Sequence, residues 1–438
     1  MKTFLKAHSV YLAVMLWHAN YAGAANWPAW RGPEGMGVAK EKNLPLRWGT
    51  NENVRWRTPL PERGNSTPIV WGNRVFVTQA IEAEKRRVLM CFDRATGKLL
   101  WQQGPVAQAS EPTHETNPQG SSSPVTDGER VIAWFGAAGL YCYDFKGREL
   151  WHRDLGPQKH IWGWGSSPML HGNVCYLNFG PGEPSFLVAL DKKTGREVWR
   201  VAEPNADSGG KKPGQEKAAW VGSWSTPVLI KAGGREELIL SWPKRVVAFE
   251  PKTGKELWIC AGLNPLAYTS PLFDKDRQII VAMGGYNGMS LAVKAGGTGD
   301  ATETRRLWHH PKTKQRIGSG VLHDGHIYIL NDPGVAECFE LETGKLVWAR
   351  FRTEMRKACW CGGQRITFRS SILVPRFISP SKWPSWIQTT AATMSFDGSC
   401  TTRLDVGVQT FNSILAGVSM VSLMRRRKST ASRPSTIR

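Results

Sequence analysis

The chain lacks the short signatures of the common catalytic folds. It has no Gly-x-Ser-x-Gly elbow, no His-Glu-x-x-His pair and no Gly-x-x-x-x-Gly-Lys-Ser/Thr loop, so a strained serine nucleophile, a helical zinc site and a backbone phosphate cradle have nothing to rest on. Gly222-Ser223-Trp224-Ser225 comes nearest to an elbow, but it opens a strand of the repeat described below. Paired metal ligands are missing too. Cys359 and Cys361 have a single residue between them, too tight for a usual ligand pair, and no second pair follows. His309 and His310 on a strand point to opposite faces. No dense group of acids offers the several convergent oxygens that a calcium ion needs, so no metal site is expected. Long apolar runs are absent: residues 410–424 are mildly apolar but carry Asn412 and several serines, which argues against a membrane span. No transmembrane helix is expected in the mature chain.

What the sequence does contain is repetition. A short apolar run, an acid, a turn built on Gly-Lys or Gly-Arg and then Trp recur along the first 350 residues. Clear copies are Cys91-Phe92-Asp93-Arg94-Ala95-Thr96-Gly97-Lys98-Leu99-Leu100-Trp101 and Leu190-Asp191-Lys192-Lys193-Thr194-Gly195-Arg196-Glu197-Val198-Trp199. Others end at Trp151, Trp258 and Trp348, and a degenerate one ends at Trp308. Trp101, Trp151, Trp199, Trp258, Trp308 and Trp348 are separated by 50, 48, 59, 50 and 40 residues, a period that belongs to radial all-β repeats. A second phrase precedes each turn: Ser or Thr, Pro, an apolar residue, a Gly turn and an alternating strand. It reads Ser66-Thr67-Pro68-Ile69-Val70-Trp71-Gly72-Asn73-Arg74-Val75, returns at Pro124, Pro168, Pro227 and Pro271, and loses its Pro in the copy at Ser319. Gly and Asn between apolar residues signal hairpins, because they take positive φ at little cost.

Each repeat therefore encodes a meander of about four strands, the content of one propeller blade. The fold expected is an all-β propeller with six legible repeats. The repeated Trp residues are expected to bury their rings between blades, because a single blade cannot form a core. Trp56, in Arg55-Trp56-Arg57-Thr58-Pro59, sits on what reads as the last strand of a blade whose other strands do not precede it.

The remaining features place the chain. Lys2, Lys6, an apolar stretch and Ala22-Gly23-Ala24 form the layout of a signal peptide over residues 1–24; an amphipathic first strand is the alternative. Export to the periplasm or beyond follows. The propeller repeats are assigned to residues 25–350. Eight cysteines in an exported chain invite disulfides, yet Cys91, Cys142 and Cys338 occupy one repeat position that Ala189 and Ala248 fill elsewhere, so the position calls for a small buried side chain. The net charge of +21 is uneven: residues 351–438 hold 14 Lys and Arg against 3 Asp and Glu, and the other 350 hold 43 against 33. Charges scattered over blade tips form a solvated face, and no nucleic-acid partner is expected. The segment 351–438 drops the repeat language altogether. Either it is a natural basic tail, or the reading frame has shifted near residues 350–358. The second is preferred, since a propeller that stops before closure exposes a sheet edge.

The phrase Ala/Cys-x-Asp/Glu-x-x-Thr-Gly-Lys/Arg-x-x-Trp, preceded by Trp27-Pro28-Ala29-Trp30-Arg31-Gly32-Pro33, resembles the PQQ-like β-propeller repeat proteins over residues 27–348. The resemblance implies eight blades, closed by the N-terminal strand. It also links the chain to quinoprotein alcohol dehydrogenases, to an outer-membrane assembly lipoprotein and to sensor domains of membrane kinases. The dehydrogenases hold a quinone with an adjacent cysteine pair and a calcium ion, and this sequence has no Cys-Cys. No cofactor is expected; PQQ with Ca²⁺ belongs to an alternative reading as a PQQ-dependent oxidoreductase.

Segments just before the Ser-Pro strands are the least repetitive, and in a propeller such loops gather at one mouth of the channel. His114, Asn117, His160, Trp162, Trp164, Trp220 and Arg316 are the candidate binding residues there. The leading expectation is an exported, monomeric, non-catalytic scaffold that presents this mouth to a protein or polymer partner. An extracytoplasmic sensor domain is a further alternative.

Overall fold

In the computed structural model, the described residues run from 26 to 350, except 42–43, 46–48, 50–51, 108–110, 207–219, 287, 314–316 and 332–334, together with the strand fragments Ile366–Thr367, Ser395–Phe396 and Arg403–Asp405. The signal-peptide assignment and the expectations for segment 351–438 fall outside the described residues, those fragments apart. Six antiparallel sheets succeed one another along the chain, each a four-stranded meander. Blade one comprises Ile69–Trp71, Arg74–Ile81, Arg86–Asp93 and Leu99–Gln103. The next two blades begin at Val125–Thr126 and Met169–His171, and the last three at Val228–Ala232, Leu272–Asp274 and Val321–His323. The first strands of blades one and two, two and three, and five and six touch, so first strands form the inner wall. This is the β-propeller expected from the repeats.

The middle strands read as continuous apolar runs rather than as alternating ones, and the packing explains why. Side chains alternate across a strand, blades two to five have a blade on both faces, and the outer face of blade one is covered by Trp27, Trp56 and Leu60. Val75 and Val77 pack toward Trp27, Trp56 and Leu60, while Phe76 between them packs toward Val131, Ala133 and Tyr143 of blade two. Further clusters fill the spaces between blades two and three, three and four, four and five, and five and six. The core is thus a series of layers between sheets.

In all six blades the third strand slips register directly after the small-residue position, where Cys91, Cys142, Ala189, Ala248, Ala292 and Cys338 stand across from Trp101, Trp151, Trp199, Trp258, Trp308 and Trp348. A bulge adds twist, and a small side chain leaves room for the indole opposite. Cys91, Cys142, Cys175, Cys260 and Cys338 are free and buried. Burial pushes the thiols of Cys91 and Cys142 up to about 12, so they pack as small apolar groups.

The Trp residues join each blade to the next. Trp101 Nε1 donates to Phe145 O at 3.0 Å, Trp151 Nε1 to Lys192 O at 3.0 Å, Trp199 Nε1 to Pro251 O at 3.0 Å and Trp308 Nε1 to Leu341 O at 2.9 Å. Each acceptor lies in the Gly turn of the following blade. Trp56 obeys the same rule, donating to Arg94 O of blade one at 2.8 Å. The turn is held by its acid: Asp93 Oδ1 accepts from Ala95 N, Thr96 N and Thr96 Oγ1 at 3.1, 2.9 and 2.8 Å. Those bonds to Thr96 keep the carboxyl below its ordinary value. Trp258 departs from the rule. Blade five has no acid-bearing turn to receive it, and its indole N–H donates at 3.0 Å to Glu237 Oε2 within its own blade, a carboxylate also paired with Arg235 at 2.8 Å. Gly299–Asp300 then adds a fifth, parallel strand to the edge of that blade.

A second set of links runs around the inner wall through the Ser-Pro phrases. Thr67 N donates to Ser123 Oγ at 2.8 Å, Ser123 N to Ser167 Oγ at 3.0 Å, Ser167 N to Thr226 Oγ1 at 2.9 Å, Thr226 N to Ser270 Oγ at 2.8 Å and Ser270 N to Ser319 Oγ at 3.0 Å. The residue before Pro is extended and supplies both the amide and the hydroxyl, so each repeat satisfies a buried donor of the blade before it.

The Trp-Pro-x-Trp-Arg-Gly segment lies inside this wall. Trp27 pairs with Val70 on the inward edge of blade one, and Pro28 O accepts from Thr126 N of blade two at 2.8 Å. Met36 Sδ accepts from Phe273 N of blade five at 3.2 Å. Between them Arg31, 1% exposed, donates to Gly320 O of blade six at 2.6 Å, to Ser319 O at 3.3 Å, and to Met36 O and Gly35 O of its own segment at 2.7 and 3.1 Å. The segment crosses the channel and ties together blades that are not neighbours.

Candidate functional site

The loops that lead into blades two to five meet at one end of the channel. Asn117 Nδ2 donates to Trp162 O at 2.7 Å and Trp164 O at 3.0 Å, which clips the blade-two loop to the blade-three loop. Trp224 Nε1 donates to Gly163 O at 2.9 Å and clips the blade-four loop to the same place. Gly163 has φ 65 and lies so close to Thr113 that an added Cβ would come within 2.7 Å of its hydroxyl, so only Gly suits this contact. The clips bring aromatic rings together. His160 lies 5.4 Å from Trp162, 5.3 Å from Trp220 and 5.1 Å from Trp224, centroid to centroid, and Trp162 lies 5.4 Å from Trp220. The series continues with Trp224 stacked on Tyr268 at 4.6 Å and an interplanar angle of 11°, and with Tyr268 5.0 Å from Tyr286. Offset and edge-on pairs of this kind add to what area burial alone contributes. The result is a ladder of rings from blade three to blade five.

Of the residues expected at the mouth, His160, Trp162 and Trp220 are in contact, and Asn117 holds their loops. His160 is 1% exposed and so forms the floor of the cluster, whereas Trp162 and Trp220 are partly exposed. His114 is exposed and engaged locally, with Nδ1 2.8 Å from Thr116 Oγ1. Trp164 differs from expectation: it is buried, 5.1 Å from Trp134 in the layer between blades two and three. Trp162, two residues earlier, joins the mouth instead, because the turn at Gly163, with φ 65 and its N–H donating to His160 O at 2.9 Å, breaks the alternation that would set both rings on one face. Arg316 lies outside the described residues. The rings of Trp224, Tyr268 and Tyr286 were not among the expected site residues. Trp224 and Tyr268 stand in the same irregular loops and were open to the same reasoning. Tyr286 lies between the second and third strands of blade five, where no repeat signal marks a connection to the mouth.

Behind Trp164 a carboxyl is buried. Glu111 Oε1 accepts from Ala137 N at 2.6 Å, and the Trp164 indole bonds to the same carboxyl. Burial outweighs these bonds and raises Glu111 to about 7. Among the described residues no group of three or more His, Cys, Asp and Glu is placed to hold a metal ion, and no helix is long and apolar enough to cross a membrane.

The chain matches the model of the outer membrane protein assembly factor BamB family over residues 46–159 and 84–350. No curated protein matches it. Among solved structures, BamB from Moraxella catarrhalis is 12% identical with a TM-score of 0.46, over 68% of this chain and 75% of that one. The quinohemoprotein alcohol dehydrogenase from Comamonas testosteroni is also 12% identical, with a TM-score of 0.42, over 75% of this chain and 74% of that one. A europium-containing methanol dehydrogenase is 10% identical with a TM-score of 0.43, over 75% of this chain and 86% of that one.

Proposed function

The chain belongs to the outer membrane protein assembly factor BamB family, and from that premise we propose that it is a non-catalytic propeller scaffold, exported to the periplasm or beyond, that presents its aromatic channel mouth to a protein partner. The observation that carries this reading is the convergence of loops from four blades on one ladder of partly exposed rings. Conserving a fold requires rings between blades; it does not require rings that stack on each other at the mouth with Tyr286 48% exposed. Exposed aromatic residues are typical anchors of protein interfaces.

In this reading no quinone is held. The Trp27 to Met36 stretch already occupies the inner edges of four blades. The described cysteines are free, and each lies in a different strand with none adjacent to another in the chain, and the described residues do not offer a calcium ion the acids it needs. These residues do not fit the group that quinoprotein relatives carry.

Photoreactive residues placed at Trp162 and Trp220, and at Leu150 on an outer strand as control, test the proposal in cells that express the full chain. A discrete crosslinked protein from the two mouth positions, recovered in the periplasmic fraction, is the expected result. Crosslinking from Leu150 alone, or retention of the chain in the cytoplasm, would refute it. Saturable binding of PQQ at micromolar concentration with Ca²⁺, together with alcohol-dependent dye reduction, would replace it with the oxidoreductase reading.

A further inference from the structure

The chemistry of the mouth restricts what it can bind. Its contact surface is made of partly exposed aromatic rings, and the indole N–H groups on it are donors. Trp162 and Trp220 are partly exposed, and among the described residues their indole N–H groups have no protein acceptor. An indole donates and cannot accept. The loops that carry the ladder, residues 158–164, 220–224, 264–268 and 284–286, contain no Asp or Glu, and Lys159 among them is exposed. The Asn264 Oδ1 acceptor is buried, pressed against Gly284 and Gly288, and does not reach the surface. A ligand matched to this surface is rich in acceptors, poor in donors and able to lay apolar ridges between rings.

A sugar polymer brings many hydroxyl donors, and these four ring-bearing stretches, without Asp or Glu, offer them few acceptors. A cationic ligand would seek a carboxylate beside the rings and finds none in these loops. A proline-rich strand meets all three requirements. Each proline removes a backbone donor and leaves a carbonyl, and the polyproline II helix has no internal hydrogen bonds, so those carbonyls face outward. Its pyrrolidine rings pack against exposed aromatic residues, and little ordering entropy is lost because the conformation is already formed. The dimensions agree. Ring centroids 4.6 and 5.0 Å apart put Tyr286 within about one turn of such a helix, roughly 9 Å, of Trp224.

We propose that the ladder of Trp162, Trp220, Trp224, Tyr268 and Tyr286 is a docking site for a proline-rich, extended segment of a partner protein, with the Trp162 and Trp220 indoles donating to its carbonyls. This inference rests on the mouth being the binding face, and it adds the class of ligand.

The test uses the full chain and a capped ten-residue oligoproline, with a Gly-Ser peptide of equal length and chitohexaose as comparisons, read by calorimetry and by quenching of Trp fluorescence. Oligoproline should bind saturably and the two comparisons should not. Trp162→Phe keeps a ring and removes the donor; it should weaken oligoproline about three- to tenfold, the range of one neutral hydrogen bond, with an unchanged unfolding midpoint. Trp220→Ala should abolish binding, and the matching midpoint of Trp162→Phe guards against a mere folding defect. No oligoproline binding, or binding unchanged in both variants, overturns the inference. Chitohexaose binding that Trp220→Ala removes would overturn the peptide class and leave the mouth as a binding face. If crosslinking from the mouth positions fails as well, the mouth reading itself falls.

Discussion

The indole of Trp151 lies flat against Gly195 of the next blade: a Cβ added to that glycine would stand 2.6 Å from Trp151 Cε3, while Trp151 Nε1 donates to Lys192 O in the same turn at 3.0 Å. The same pairing joins Trp56 with Gly97, Trp101 with Gly147, Trp199 with Gly254 and Trp308 with Gly344. The turn glycine therefore answers two demands at once. It takes the left-handed backbone, φ 68 at Gly195, and it leaves the surface on which the ring rests.

Two glycine substitutions separate those demands. Gly195→Ala should lose about 1–2 kcal/mol for the left-handed conformation and about 1–3 kcal/mol more for displacing the indole. Gly172 has φ 55 with nothing within 4 Å of the added Cβ, so Gly172→Ala should lose the conformational part alone. Urea denaturation of both variants checks this; equal losses would show that the ring contact adds nothing.

Truncating the ring itself is the complementary experiment. Trp151→Ala and Trp199→Ala should each destabilise by about 3–5 kcal/mol, as large aromatic truncations do. Chemical denaturation that finds either variant as stable as the parent would refute the docking role of the Trp series.

Much of this framework was legible in the sequence because it repeats. The spacing of Trp, the Thr-Gly-Lys turns and the Ser-Pro phrases each recur, and recurrence distinguishes a packing rule from an accident. The partner of each element was not legible. That Trp151 rests on Gly195, some 40 residues ahead, or that Thr67 N–H finds Ser123, depends on how blades stack. Trp164 and Trp162 look alike in the sequence, yet one is buried against Trp134 and the other joins the mouth, because the left-handed turn at Gly163 between them turns the chain. Arg31 gave no sign of its role beyond membership of the opening motif, since its carbonyl partners lie 288 and 289 residues away.

Arg31 should be among the most sensitive single positions. It is a buried guanidinium with four backbone carbonyl partners, and removal of the donor leaves those acceptors unsatisfied inside the channel. Arg31→Met retains most of the apolar stem and should still lose about 2–4 kcal/mol, because buried carbonyls are left without a donor. Arg31→Lys should recover only part, because an ammonium lacks the fork that spans two segments. Thermal unfolding of the three proteins checks the order; a Met variant equal to the parent would show that the segment is not a staple.

The last prediction concerns acidity. Burial raises Glu111 from 4.5 to about 7 in the folded chain, so the folded state holds a proton that the unfolded state releases. Between about pH 4.5 and pH 7 the folded form binds more protons, and stability falls as pH rises. The stabilisation from this proton is fully present below the unfolded value and is lost as pH passes the folded one; its size, from the shift, is at most about 3 kcal/mol. Glu111→Gln keeps an oxygen for Ala137 N–H and carries no charge at any pH. Its stability should fall less than the parent's across that window, where Glu203, also raised by burial, still titrates, and the difference between parent and variant should grow toward neutral pH. Denaturant midpoints measured at pH 5 and pH 8 decide it: a Gln variant with the same pH slope as the parent would move the titrating group elsewhere.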